Sequence, residues 1–358
     1  MPSIRKRPNG SWRARYRDDA GREHAKHFDR KVDGQRWLDG VTAAVVTGAY
    51  VDPRAGRGTL AAYAGSWEAC QVGRDGTARI VDNALRVHVL PALGHRPLDS
   101  LRKSDVQGFV KALSATLAPG SVRNVHDVLA RVLASAVDDR LIAHSPCRKV
   151  ILPAVSEAEV VPPSVEQVRA LAAAVDGRYR GLVILLAGSG LRIGEALGLD
   201  VGHVDFLRRT VRVERQRYQD GSIGPTKTAR STRTVPVGRV VVEELAAHLA
   251  ACPSTGALFT TELGDPLGYL RWKRAWRAAQ AATGLDVDTH RLRHFTASAL
   301  ISGGASVKQV QTVLGHSSAA VTLRVYAHLW PGDDDRTRAV MDAALGIPAD
   351  SLRTETTP

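Results

Sequence analysis

Hydrophobic and polar positions change period twice along the 358-residue chain. In the first fifty residues they alternate, and stretches 3–7, 11–17 and 23–29 read as three short strands. The turns Asn9-Gly10 and Asp19-Ala20-Gly21 separate them, a strong hairpin signal. A helix is expected over 31–47, and D-P-R-A-G-R-G at 52–58 is a linker by its Pro/Gly content. From 59 to 152 only the helical period is present, predicting helices near 59–70, 77–90, 103–115 and 119–138. The last of these carries an apolar stripe of Val122, Val125, Leu129, Val132, Leu133 and Ala136. Residues 153–163, P-A-V-S-E-A-E-V-V-P-P, form a second linker.

Beyond it the two periods mix. Helices are predicted at 164–175, 178–197, 239–250, 268–283, 290–302, 306–314 and 317–329, with a last one near 336–345. Between them, T-V-R-V-E-R-Q at 210–216 and S-T-R-T-V-P-V at 231–237 alternate around an Asp220-Gly221 turn, a hairpin pattern. The expected organisation is an N-terminal sheet-plus-helix domain over 1–53 and a helical domain over 59–153. A mainly α domain with a hairpin follows over 160–340, then a polar tail over 341–358.

Charge changes this picture from a generic multidomain protein to one with a polyanionic partner. The formal net charge is +13, carried by Lys and Arg, which attracts DNA, RNA or anionic membranes. The longest apolar run, 181–199, is broken by Arg192 and Glu195, so a membrane partner is not expected. The N-terminus opens with charged, Pro and Gly residues rather than the apolar segment of a signal peptide. Cys70, Cys147 and Cys252 are scattered and odd in number, which argues against disulfides or a thiolate zinc site and fits a reducing cytoplasm. Residues 1–40 hold eleven Lys/Arg against six Asp/Glu, a net of +5. Arg13, Arg15 and Arg17 alternate with Trp12 and Tyr16, so one face of the second strand is basic and the other partly aromatic. That face suits a DNA groove; the same alternation equally suits a small sheet whose aromatics form its own core. Arg123 and Arg131 lie outside the 119–138 stripe and are the second candidate DNA contacts.

Candidate chemistry is concentrated after residue 164. In G-S-G-L-R-I-G-E-A-L-G-L, Arg192 and Glu195 are three apart and can pair, either as a buried structural ion pair or as a carboxylate fixing a guanidinium for a phosphate. In T-H-R-L-R-H-F-T, His290 shares a face with Arg293 and, at i+4, with His294. Arg291 and Arg293 oppose a dication there, and no glutamate lies between the histidines, so zinc is rejected in favour of an anion. Lys227 stands in G-P-T-K-T-A-R just before a strand. Near the C-terminus, L-G-H-S-S-A-A-V-T-L-R-V-Y-A-H-L places His316 and Tyr326 on an aliphatic stretch that alone reads as a half-buried aromatic. Taken together there is no carboxylate pair, no Walker loop and no Ser-His-Asp set. Arginine and histidine donors can hold a phosphodiester, a tyrosine hydroxyl can attack it, and a lysine can protonate the leaving oxygen.

G-L-R-I-G-E, T-K-T with R-T-V-P-V, H-R-L-R-H, L-G-H-S and the Y-A-H tyrosine occur here in the order and spacing of the tyrosine recombinases, the phage-integrase family, which the chain resembles over about residues 59–330. Residues 1–50 resemble the arm-binding domain of phage-type integrases, and the helical unit resembles their all-α, SAM-like core-site-binding domain. The resemblance implies a multidomain protein with a mainly α, α+β catalytic domain. It implies that Arg192 and Arg293 grip the scissile phosphate and that Tyr326 attacks it, leaving a 3′-phosphotyrosyl bond and a 5′-hydroxyl. Lys227 would protonate that oxygen, His290 would assist proton transfer at the tyrosine, His316 would bond the phosphate, and Glu195 would support them from behind. His294 and His328 are left as supporting or structural residues. No metal, ATP or other cofactor is implied. The implied partners are double-stranded attachment-site DNA, a tetramer of this chain on that DNA, and a directionality factor or host DNA-bending protein, all in a bacterial host's cytoplasm.

Within the family, a resolvase or chromosome-dimer recombinase shares this chemistry, but the basic N-terminal sheet favours a phage or mobile-element integrase. A DNA-binding regulator without enzymatic activity is the alternative from another class, supported by the helix-turn-helix-like stretch 306–322 with Gly315 at its turn. That alternative leaves Arg192, Lys227 and His290 without a purpose.

Overall fold

A computed structural model describes residues 2–18, 21–47, 50–52, 54–73, 75–155, 161–226, 231–330 and 334–346. It divides into two compact units, Met1–Glu157 and Ala158–Pro358. No helix among the described residues is long and apolar enough to cross a membrane.

The first unit contains two cores. Strands β1 (Ser3–Lys6), β2 (Trp12–Arg17) and β3 (Glu23–Phe28) form an antiparallel sheet in sequence order, with helix α1 (Lys31–Val46) against it. Alternation along β2 sends Ala14 and Tyr16 into a small core with Leu38 of α1. Trp12 lies at the rim rather than in that core, with the Lys6 and Lys31 ammonium groups 5.9 and 5.6 Å from its ring centre. Arg13 and Arg15 project from the opposite face and share Glu23 at 3.2 and 3.3 Å.

The second core is all helical: α2 (Leu60–Ala69), α3 (Asp75–Asn83), α4 (Leu90–Leu93), α5 (Lys103–Ser114) and α6 (Pro119–Asp138). All six apolar stripe residues of α6 are buried there. The single helix expected over 77–90 is not regular. A widened π-helical turn, Ala84–Val89, joins α3 to α4, with the Leu90 amide reaching back to the Leu85 carbonyl. It sits immediately ahead of Pro91, whose ring and missing N–H disrupt regular helical spacing.

The second unit is built around α8 (Gly177–Ser189), which is buried on nearly every side, as its all-round apolar sequence requires. Before it comes α7 (Val165–Ala174), and after it a short α9 (Ile193–Leu197). The expected single helix over 178–197 is therefore broken. Gly190 ends α8 in the left-handed conformation at φ +65°, its amide bonding back to Leu186, and the chain restarts at Arg192. A Cβ at Gly190 would lie 2.6 Å from Leu314 Cδ2, so both its conformation and its space demand glycine.

Strands β4 (Val204–Asp205), β5 (Thr210–Val213) and β8 (Arg233–Pro236) form one antiparallel sheet in that order, while β6 (Arg215–Arg217) and β7 (Ile223–Pro225) form a separate pair closed by the Asp220-Gly221 turn. The hairpin pattern thus splits into two tiers, because Arg215 and Arg217 turn aside to bond the carbonyls of Gly198 and Leu197 at the end of α9. Helices α10 (Arg239–Ala251), α11 (Tyr269–Thr283), α12 (Arg291–Ser302), α13 (Val307–Leu314) and α14 (Ala319–Tyr326) follow, then α15 (Asp334–Leu345). The helix expected over 317–329 runs only from Ala319 to Tyr326, with one 3-10 turn after it.

Gly190→Ala is expected to destabilise the second unit by about 1–3 kcal/mol, since it combines a strained backbone with displacement of Leu314. Urea unfolding followed through the buried Trp272 and Trp276 measures this; an unchanged midpoint contradicts it.

Candidate active site

Arg192 is the N-cap of α9, and Glu195 at its third position reaches back to it. The Glu195 carboxylate accepts the Arg192 amide at 3.0 Å and its guanidinium at 2.8 Å. The same carboxylate accepts a third bond, from Arg233 Nη2 on β8, at 3.0 Å. Burial pushes the Glu195 carboxyl up, but Arg233 and Arg192 outweigh it and hold the group below the usual carboxylate range. Arg233 in turn donates through Nε to the Val313 carbonyl at 2.8 Å and through Nη1 to the Ser231 carbonyl at 2.9 Å. It thereby fastens the end of α13 to the sheet. Gly315, at φ +66°, lies so close to this guanidinium that a Cβ would come within 2.9 Å of it.

Arg293, in the first turn of α12, is only 2% exposed. Its Nη1 donates to the Gly190 carbonyl at 2.7 Å, while the equally buried Nη2 has no partner among the described residues. Burial and Arg192 both push the Arg293 pKa down, against Glu195, yet a guanidinium stays charged. Three guanidinium groups, those of Arg192, Arg233 and Arg293, therefore face one carboxylate. An unpaired donor on a buried cation is costly unless an anion completes it.

Three histidines and Tyr326 close the site. His316 stacks its ring parallel to that of Tyr326, centroids 6.3 Å apart, and its Nδ1 lies 2.9 Å from the buried Thr322 hydroxyl. His290 and His294 meet edge to face at 5.1 Å. Tyr326 is 1% exposed, and its hydroxyl lies 2.7 Å from His294 Nδ1. Burial pushes the Tyr326 hydroxyl up to about 12, against the pull of Arg293. Burial, then the neighbouring charges, lowers His294 to about 4, His316 to about 3, and His290 below the usual histidine value. All three are neutral imidazoles at pH 7, each with one N–H and one lone pair. None belongs to a metal-sized ligand group among the described residues. Beside His290 a cleft of about 340 Å³ opens between α9, α11 and α12, edged by Lys273 and Arg277.

Of the residues singled out from the sequence, Arg192, Glu195, His290, Arg293, His316 and Tyr326 come together. Lys227 lies outside the described residues. Sequence reasoning passed over Arg233, although it occupies the same face of β8 as the buried Val235. It also passed over the contact of His294 with the tyrosine. Among the candidate DNA contacts, Arg17 bonds the Gly21 carbonyl, Arg123 the Pro153 carbonyl, and Arg131 stacks over Trp67 at 5.3 Å.

Glu195→Gln is expected to cost about 3–5 kcal/mol, because it leaves the buried Arg233 and the half-buried Arg192 without their counter-charge. A carboxylate with a lowered folded pKa contributes stability that is present above its ordinary pKa and lost as pH falls through the folded value. Wild type should therefore lose more stability than Glu195→Gln between about pH 5 and 3, measured by urea unfolding across that window. Parallel losses contradict the charge assignment.

Comparison with known proteins identifies the family. Residues 164–331 match the Phage integrase family and residues 3–47 match the Phage integrase, N-terminal domain. The integrase of Mycobacterium phage D29 is 25% identical over 338 residues, covering 89% of this chain and 90% of that one. Tyrosine recombinase XerD of Mycobacterium leprae is 32% identical over 277 residues, 67% of this chain and 81% of XerD. The Tn1549 transposon integrase, solved in complex with a circular intermediate DNA, superposes with a TM-score of 0.68 at 21% identity, over 80% of this chain and 99% of that one. The chain belongs to the phage integrase family of tyrosine recombinases, enzymes that cleave and rejoin DNA at specific sites.

Proposed function

We propose that this site-specific recombinase is the integrase of a phage or other mobile element, and that Tyr326 is its nucleophile. The observation that carries the residue assignment is the buried Arg293 Nη2 without a partner among the described residues, in a site whose one carboxylate, Glu195, is already paired with Arg192 and Arg233. A phosphodiester supplies the missing anion. Arg293 and Arg192 bind its non-bridging oxygens and stabilise the charge that grows on them in the pentacoordinate transition state. His316, with Nδ1 turned to the Thr322 hydroxyl, offers Nε2–H as a further donor. Tyr326 attacks phosphorus, the P–O5′ bond breaks, and Lys227 protonates the departing oxygen. The phosphotyrosyl ester retains the bond energy, so the 5′-hydroxyl of another strand can reverse the step without ATP. Two recombining sites present four cleavable strands, so four copies assemble on DNA.

Integrase rather than resolvase is favoured by the match of residues 3–47 to the integrase N-terminal domain and by the D29 integrase, which aligns over 89% of the chain against 67% for XerD. The basic outer face of β2, with Arg13, Arg15 and Arg17, and Arg123 and Arg131 on α6 supply phosphate contacts. A directionality factor or host bending protein fits an integrase that must choose between insertion and excision.

Wild-type protein with a nicked duplex carrying the element's junction sequence should give a covalent band on a denaturing gel, unaffected by EDTA. Tyr326→Phe should give none, with duplex binding retained. Arg293→Ala should slow band formation about 100- to 1,000-fold, the usual loss for one transition-state donor. A band that survives in Tyr326→Phe contradicts the assignment.

A further inference from the structure

Resting on the assignment of Tyr326 as nucleophile, we infer that His294 is the group that takes the tyrosine's proton. The resemblance to known recombinases points to His290 for that step. The geometry points one turn further along α12. His294 Nδ1 is 2.7 Å from the Tyr326 hydroxyl, the distance of a formed hydrogen bond, and the two rings meet at 64° with centroids 5.5 Å apart. His290 contacts His294 edge to face rather than the hydroxyl, and His316 lies parallel to the tyrosine ring with its Nδ1 engaged by Thr322. The base therefore stands within reach before DNA arrives, as a general base requires.

The surroundings of His294 keep it able to accept. On its own helix it faces His290, Arg291 and Arg293; Asp288 approaches from the preceding loop, and Tyr326 from α14, with His316 behind the tyrosine. Burial first, then this excess of positive charge, keeps the ring neutral, lowering its pKa to about 4. With the proton on Nε2, Nδ1 presents a lone pair to the phenol. In the step itself, Tyr326 Oη forms its bond to phosphorus while the Oη–H proton passes to His294 Nδ1. The P–O5′ bond breaks and O5′ gains its proton from Lys227. In religation the 5′-hydroxyl attacks and gives its proton back to Lys227, the phosphotyrosyl bond breaks, and His294 returns its proton to the tyrosine. The nascent imidazolium next to Arg293 is tolerable only while the phosphate's negative charge lies between them. That makes proton transfer contingent on bound DNA.

The test uses the full chain and a nicked duplex whose core site wild-type protein has selected from a randomised pool, with single-turnover formation of the covalent band followed from pH 7 to 9. Wild type should show a flat profile. His294→Phe, which keeps the ring, and His294→Asn, which keeps an acceptor that cannot take the proton, should each be about 100- to 10,000-fold slower. Both should gain a tenfold rise in rate per pH unit, because the tyrosine must then ionise unaided. That slope does not depend on how much of the variant is folded. A flat profile in the variants, or a rate above wild type, overturns the inference; the faster rate would make His294 a restraint on the tyrosine. Tyr326→Phe run alongside separates the cases, since a band there defeats the nucleophile assignment itself.

Discussion

The buried carboxylate of Glu195 is the constraint on which the catalytic unit depends. It receives Arg192 from its own short helix and Arg233 from the sheet, and Arg233 passes the connection on to the Val313 carbonyl at the end of α13. One anion thus ties together the α8–α9 break, the β8 strand and the turn that carries His316. It also leaves the charge count unbalanced. A second carboxylate would complete the site internally and close it to phosphate. With only one among the described residues, Arg293 keeps an unused buried donor, which on the proposed assignment a phosphodiester would complete.

The same excess of positive charge explains the histidines. Isolated imidazoles would be partly protonated near neutral pH, but burial beside guanidinium groups holds His290, His294 and His316 neutral. Neutral histidines can both donate and accept, which is what a site that moves a proton around a phosphate needs. The Tyr326 phenol remains protonated for the same reason of burial, so the proposed nucleophile would need a base at the moment of attack.

Local relations were legible in the sequence. Arg192 and Glu195 are three residues apart, and the α6 stripe and the glycine-marked turns follow from periodicity and backbone freedom alone. What the sequence did not disclose comes from contacts across long separations. Arg233 meets Glu195 across 38 positions and His294 meets Tyr326 across 32, and no local pattern selects those partners. Arg233 did leave a trace, a charged residue in register with the apolar face of a strand. His294 left one too, one turn from His290 on the same helix face. The break at Gly190 was hidden because an apolar segment with four glycines reads equally well as one buried helix, and only the seat of Leu314 against Gly190 shows why it ends there. The helix-turn-helix outline of α13 and α14 is real, with Gly315 left-handed at the turn, but it delivers His316 and Tyr326 to the arginines.

The most direct test of the claim that this is a phosphate site awaiting its anion is a crystal structure with nicked core-site DNA and orthovanadate, which mimics the pentacoordinate phosphorus. Tyr326 Oη should occupy one axial position and the 5′-oxygen the other. Arg293 Nη2 and Arg192 should contact equatorial oxygens, and the Tyr326 hydroxyl should remain against His294. Vanadate bound elsewhere, or bound with Arg293 Nη2 still unpartnered, would contradict the claim.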